Sequence, residues 1–136
     1  MREVGSLVLV VLAFSTLALA EQSIASEGDP VPVTISKDPT YGISEKNPIK
    51  VGRAHGGPRD EDLYFDSVRG PKGERLHVKR VGSCCEFKTP NGWVSGVGLL
   101  DKFEVNYKGL EKPAVLYLDI YDYEKPLVPV GFTKGQ

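Results

Sequence analysis

The stretch DKFEVNYKGLEKPAVLYLDIYDY, residues 101–123, decides the fold. Phe103, Val105 and Tyr107 alternate with Lys102, Glu104, Asn106 and Lys108. A period of two places successive side chains on opposite faces of a strand, one toward a core and one toward water. The same period returns after the break, with Leu116, Leu118 and Ile120 facing inward and Tyr117, Asp119 and Tyr121 facing outward. Between the two runs stands KGLEKP (108–113), long enough for an antiparallel hairpin and too short for a parallel crossover.

Working outward, ERLHVKRV (74–81) sets Leu76 and Val78 on one face and His77 and Lys79 on the other. NPIKVG (47–52) predicts a short strand around Ile49–Val51, and PLVPVGF (126–132) a last one that Pro129 confines to the rim. RAHGGPRDEDLYFDSVRGPKG (53–73) reads as loop, helix and stop. Pro58 suits a first helical turn, Asp60, Glu61 and Asp62 suit its positive end, and Leu63, Tyr64, Phe65 and Val68 give an apolar side. Gly70-Pro71 ends the helix, with Arg69 in the last turn. About ten residues make a short helix that must dock to persist. The expected architecture is therefore α+β: a small antiparallel sheet with one short helix packed on it.

The chain begins MREVGSLVLVVLAFSTLALAEQS, an uncharged run of 17 residues from Val4 to Ala20 closing on the small-x-small pattern Ala18-Leu19-Ala20. That pattern reads as a signal peptide over 1–20, cut after Ala20; the alternative is an uncleaved anchor. Residues 21–46 are rich in Ser, Asp, Pro, Lys and Thr and are expected to be a flexible segment, although Val31, Val33 and Ile35 alternate and suit one edge strand. The compact domain is expected over 47–136. Once 1–20 is removed, no membrane span remains. Seventeen Lys and Arg against eighteen Asp and Glu leave a net charge of −1. That balance argues against nucleic acid and against a polybasic membrane surface. Localisation is expected to be periplasmic or secreted, where disulfides persist.

Cys84 and Cys85 are the only cysteines, and they are adjacent. Neighbouring Cα atoms lie about 3.8 Å apart, whereas disulfides usually span roughly 4.4–6.8 Å, so a bond between them is strained and easier to reduce. Three readings stay open: two reduced cysteines packed as small apolar groups beside a strand end, a vicinal disulfide, or intermolecular or metal bonding. A zinc site would need His55, His77, Cys84 and Cys85, whose spacing fits no familiar ligand pattern, so no metal and no other cofactor is expected. Arg53, His55 and Arg59 flank a glycine-rich turn that could hold an anion, but the spacing matches neither phosphate motif and the following acids repel one. Trp93, the only tryptophan, reads first as a core plug and second as an exposed stacking surface. Asp119, Asp122 and Glu124 beside Tyr117, Tyr121 and Tyr123 resemble the acids and aromatics of sugar sites. No serine elbow or catalytic set can be assembled from spacing.

YGISEKNPIKVG (41–52), VRGPKGE (68–74), KRVGSCCEFKTPNG (79–92), GLLDKFEVNYKGLEKPAVLYLDIYDY (98–123) and VPVGF (128–132) together resemble a group of small exported bacterial proteins of unknown function. RVGSCC is the most specific block. The resemblance implies export and no particular activity. Many of those proteins look like lipoproteins with a cysteine after the leader; here Glu21 follows Ala20. Some relatives carry the label 2-dehydro-3-deoxyphosphooctonate aldolase, an activity housed in eight-stranded barrels of about 250 residues. A mature chain of 116 residues (136 less 20) with one evident helix is too short to close one.

The leading expectation is a non-enzymatic binding or accessory module meeting a cell-envelope partner or small ligand. Its contact surface would be the outer sheet face, through Trp93, Tyr117, Asp119 and Tyr121, together with the Cys84–Asp101 loops. One alternative is a small thiol-redox or hydrolytic enzyme centred on Cys84 and Cys85, with His77 joining them; another is a purely structural envelope protein.

Overall fold

Strand β4 (Val97–Asn106) is the spine of the domain in the structure, a computed structural model that describes residues 30–32, 34–52 and 57–136. Strands β3 (His77–Lys88) and β5 (Ala114–Asp119) flank it, both antiparallel. The two-residue strand β1 (Ile49–Lys50) completes the sheet on the far side of β5, in the order β1-β5-β4-β3. A separate ribbon pairs β2 (Val68–Arg69) with β6 (Thr133–Lys134). The hairpin alternation holds: Phe103 stands opposite Leu116, Val105 opposite Ala114, and Leu118 takes Ile49 as its neighbour in β1.

On this inner face lies the one helix among the described residues, α1 (Pro58–Asp66), with Pro58 in its first turn and Asp60 and Glu61 at its positive end. Nine residues are marginal alone. Docking stabilises them: Tyr64 and Phe65 are buried, and the Phe65 ring lies 4.9 Å from that of Phe103. Burying each such side chain contributes about 1.5–3 kcal/mol.

Several expectations need correction. The sheet is mixed rather than antiparallel, because β1 runs parallel to β5. The helix stops at Asp66, so Val68 and Arg69 belong to β2 instead of the last turn. Ser67 folds its hydroxyl back onto the Leu63 carbonyl at 2.9 Å, and the chain then turns toward β6. Strand β3 continues through the cysteines to Lys88, and β4 begins at Val97, so only 89–96 forms a loop. PLVPVGF adds no regular strand; Val128 makes one parallel bridge with Ile35, and the strand comes later at β6.

The expected flexible segment 21–46 is held in place from Thr34 onward. Val128 donates to the Thr34 carbonyl at 2.9 Å, Ser36 donates to the Val128 carbonyl at 2.8 Å, and Tyr117 donates to the Gly42 carbonyl at 2.8 Å. Val31 is exposed and Val33 lies outside the described residues. The Tyr41 hydroxyl accepts the Leu127 N–H at 2.9 Å, while the Tyr64 hydroxyl donates to the Leu127 carbonyl at 2.8 Å. Two tyrosines thus satisfy both polar groups of one residue in an irregular run. The signal peptide 1–20 lies outside the described residues. Among those described, no helix is long and apolar enough to cross a membrane.

Candidate functional site

The outer face of the sheet carries a row of four residues, one from each strand. Cys84 stands opposite Leu100, Leu100 comes beside Asp119, and Asp119 stands opposite Lys50. A cleft of about 590 Å³ opens along that row. Cys85 and Phe87 line one side of it, Glu45 and Pro48 the other, and Asp119 and Asp122 one end.

Cys84 and Cys85 are joined as a vicinal disulfide, their Cα atoms 3.7 Å apart. They sit inside strand β3, at a bulge, and not beside its end. The register slips once between Arg80 and Gly82 and again between Cys84 and Glu86, so Cys85 is an inserted residue without a partner across the ladder. Its φ of +60° is the left-handed conformation that a bulge needs and side chains other than glycine adopt uncommonly. The Glu45 carboxylate approaches Cys85 Sγ to 3.1 Å. A disulfide sulfur carries no proton, so this is an oxygen–sulfur contact, with no hydrogen to donate.

Asp119 ends β5 by folding its carboxyl under the chain. Oδ1 accepts the backbone N–H groups of Tyr121 at 2.8 Å and Asp122 at 3.0 Å, while the buried Oδ2 has no partner. Asp119 is only 1% exposed, and burial pushes its carboxyl up to about 6, with the neighbouring Asp122 adding to the rise. Asp122 goes the other way. Partial burial opposes that, but the Thr89 hydroxyl and the Asn91 amide hold its carboxylate below the ordinary range, Asn91 at 2.9 Å.

Beyond Phe87 the face becomes an aromatic row. Phe87 meets Tyr121 edge to face with centroids 5.9 Å apart, and Tyr121 meets Trp93 at 5.8 Å. Gly98 lies beneath this row. A Cβ there would sit 2.8 Å from the Phe87 ring and 2.9 Å from Tyr121, so only glycine lets the pair close over β4. Trp93 is 82% exposed, which overturns its reading as a core plug.

Of the residues singled out from the sequence, Cys85 and Asp119 line the cleft, with Cys84 bonded to Cys85, while Trp93 and Tyr121 border it. Tyr117 shares the face but stands one row away, opposite Lys102, and does not line the cleft. His77 is exposed and lies seven residues up the same extended strand from Cys84, on the order of 20 Å distant. Arg53 and His55 lie outside the described residues, and Arg59 is exposed. Among the described residues, no group of three or more His, Cys, Asp or Glu is arranged to hold a metal ion. Glu45, Thr89 and Asn91 were not legible as site residues. The only hint of Thr89 and Asn91 was their place in a turn, and Glu45 is 40 residues from the sulfur that it touches.

No family model matches the chain, and no curated protein or solved structure matches it.

Proposed function

We propose that this protein is a non-enzymatic binding module of the bacterial cell envelope, and that the outer-face cleft with its aromatic row takes a sugar ring of an envelope glycan. One observation carries the reading: the sole tryptophan stands almost wholly in solvent, its ring against that of Tyr121, the neighbour in sequence of Asp122. A large exposed ring offers a flat apolar surface, and a sugar has one apolar C–H face to lay on it. Its hydroxyls find an acceptor in Asp122 and a donor in Asn91. The vicinal disulfide contributes a rigid, weakly polar wall.

Because Trp93 is the only tryptophan, its fluorescence reports on the site directly. Titration with N-acetylglucosamine oligomers is expected to shift the emission to the blue. Co-sedimentation with purified sacculi should be lost in Trp93→Ala. Unchanged emission together with no co-sedimentation of the folded protein would overturn the proposal.

A second reading, thiol-redox chemistry at Cys84 and Cys85, is favoured by the half-buried position of the bond on an edge strand. The Glu45 carboxylate weighs against it. A negative charge 3.1 Å from Sγ disfavours the thiolate that redox and hydrolytic chemistry require. Thiol titration with and without a dithiol reductant separates the two, since only a redox centre would show fast, reversible thiols. Among the described residues, a four-stranded sheet, a two-stranded ribbon and one helix supply none of the barrel on which the aldolase reaction is built.

A further inference from the structure

On the inner face of the sheet a second cleft, about 480 Å³, opens between α1 and strands β3 and β4. Two acids meet beside it from separate elements, Glu61 of α1 and Asp101 of β4, only 3% and 5% exposed. Asp101 is satisfied: its Oδ1 accepts from the Arg80 guanidinium and from the Ser83 hydroxyl at 2.9 Å. Glu61 is satisfied only in part: its carboxyl hydrogen-bonds that of Asp101, and its Oε1 is buried without a partner. Burial first, then the Asp101 carboxyl, push Glu61 well up from the ordinary carboxylate range. Arg80 of β3 opposes this and Asp62 of its own helix reinforces it. The neutral form of Glu61 is therefore favoured over its carboxylate in the folded protein.

The surroundings say what could replace the proton of Glu61. Glu61, Asp62 and Asp66 line the cleft from the helix, and Arg80, half exposed, is already engaged with Asp101. The walls are Phe65, Leu76, Val78 and Phe103. Acids set among apolar side chains complement a positive head on a hydrocarbon body. A bare metal ion does not fit, since no metal-holding cluster exists among the described residues.

We infer that this cleft is a second binding site, for a primary alkylammonium ion whose –NH₃⁺ group donates to Glu61 Oε1 while its carbon chain lies on Phe65, Leu76, Val78 and Phe103. The step balances simply. Glu61 gives its carboxyl proton to solvent, the ammonium keeps its three protons, and the pair formed is carboxylate with ammonium. This site is independent of the outer-face cleft, being on the other side of the sheet.

Isothermal titration of the whole protein with n-butylammonium chloride, in two buffers of different ionisation enthalpy, tests it. The expected result is binding with release of about one proton per ligand at neutral pH. Glu61→Gln, which keeps the shape and removes the charge, should abolish proton release and weaken binding at least about tenfold. Trp93→Ala should change neither. Lengthening the ligand from ethyl- to butylammonium should tighten binding by about three- to fourfold per methylene. Absence of binding to the folded protein, binding without proton release, or equal binding by a folded Glu61→Gln variant would each overturn the inference. If that variant does not fold, a chain-length series that is flat in the wild type overturns it by itself.

Discussion

Asp119 is pulled in two directions by its neighbours, and the balance makes it a titratable element of the fold. Its Oδ1 is committed to two backbone N–H groups, which favour the charged form. Burial and the nearby Asp122 favour the neutral form and prevail, raising the carboxyl from 3.8 to about 6. A group whose proton is held more tightly in the folded state stabilises that state fully below its unfolded value. The contribution is then lost as pH rises through the folded value. Stability should therefore fall between roughly pH 4 and pH 6, by on the order of 3 kcal/mol from a shift of this size. Asp119→Asn keeps Oδ1 as an acceptor and removes this titration, so urea midpoints measured across that window should fall less steeply than in the wild type, leaving the slope that Glu61 contributes. An unchanged slope in the variant would show that Asp119 does not titrate this way. Asp122 does not confuse the measurement, because its carboxyl is held below the ordinary range and acts at lower pH.

Strand β3 is the element that departs furthest from what alternation suggests, and its two insertions are the reason. Leu76 and Val78 show the period, but the bulge at Val81 and the second at Cys85 each add one residue and change the side on which later residues fall. Alternation that resets twice in twelve residues looks like a strand that ends, so the segment beyond Val81 reads as a turn. The same bulges interrupt a long edge that would otherwise offer unpaired backbone to a second chain. A bond between adjacent residues closes almost no loop, and stabilisation through chain entropy grows with loop length. The double variant Cys84→Ser/Cys85→Ser is therefore expected to fold, with a loss within about 1 kcal/mol. Its Trp93 response to glycan should weaken, because the bulge that shapes the cleft wall is no longer pinned. Global unfolding of that variant at room temperature, seen by circular dichroism, would assign the bond a larger structural role.

For the whole molecule, the hairpin core was legible because Phe103, Val105, Leu116 and Leu118 declare themselves locally, whereas closure of the domain depends on contacts between distant segments. Helix α1 was legible from Pro58 and its acids, but the Glu61–Asp101 meeting was not, since nothing within either segment points to the other. Asp119 was legible as an outward acid; its burial was not, because Glu45 and Lys46 of an apparent tether, with Pro48 after them, come to line the same cleft. A second long-range closure is the pair of tyrosines on Leu127, Tyr41 lying 86 residues away and Tyr64 lying 63. They hold an irregular run in place by satisfying its N–H and its carbonyl, where regular structure would have used a ladder. Removing either hydroxyl leaves a polar backbone group unmatched in a partly buried site, at a cost of about 1–3 kcal/mol. Tyr41→Phe removes an acceptor and Tyr64→Phe a donor, so neither variant changes shape or apolar burial. Because both hydroxyls fix the same residue, loss of one frees Leu127 to move and find water, and the second loss should then cost less. Denaturant unfolding of both single variants and the double should show a double-variant loss smaller than the sum by about 0.5 kcal/mol or more. Strict additivity would mean that each tyrosine acts alone and that the run is held elsewhere, with the Val128 bridge to Ile35 and the Thr34 carbonyl the remaining anchors.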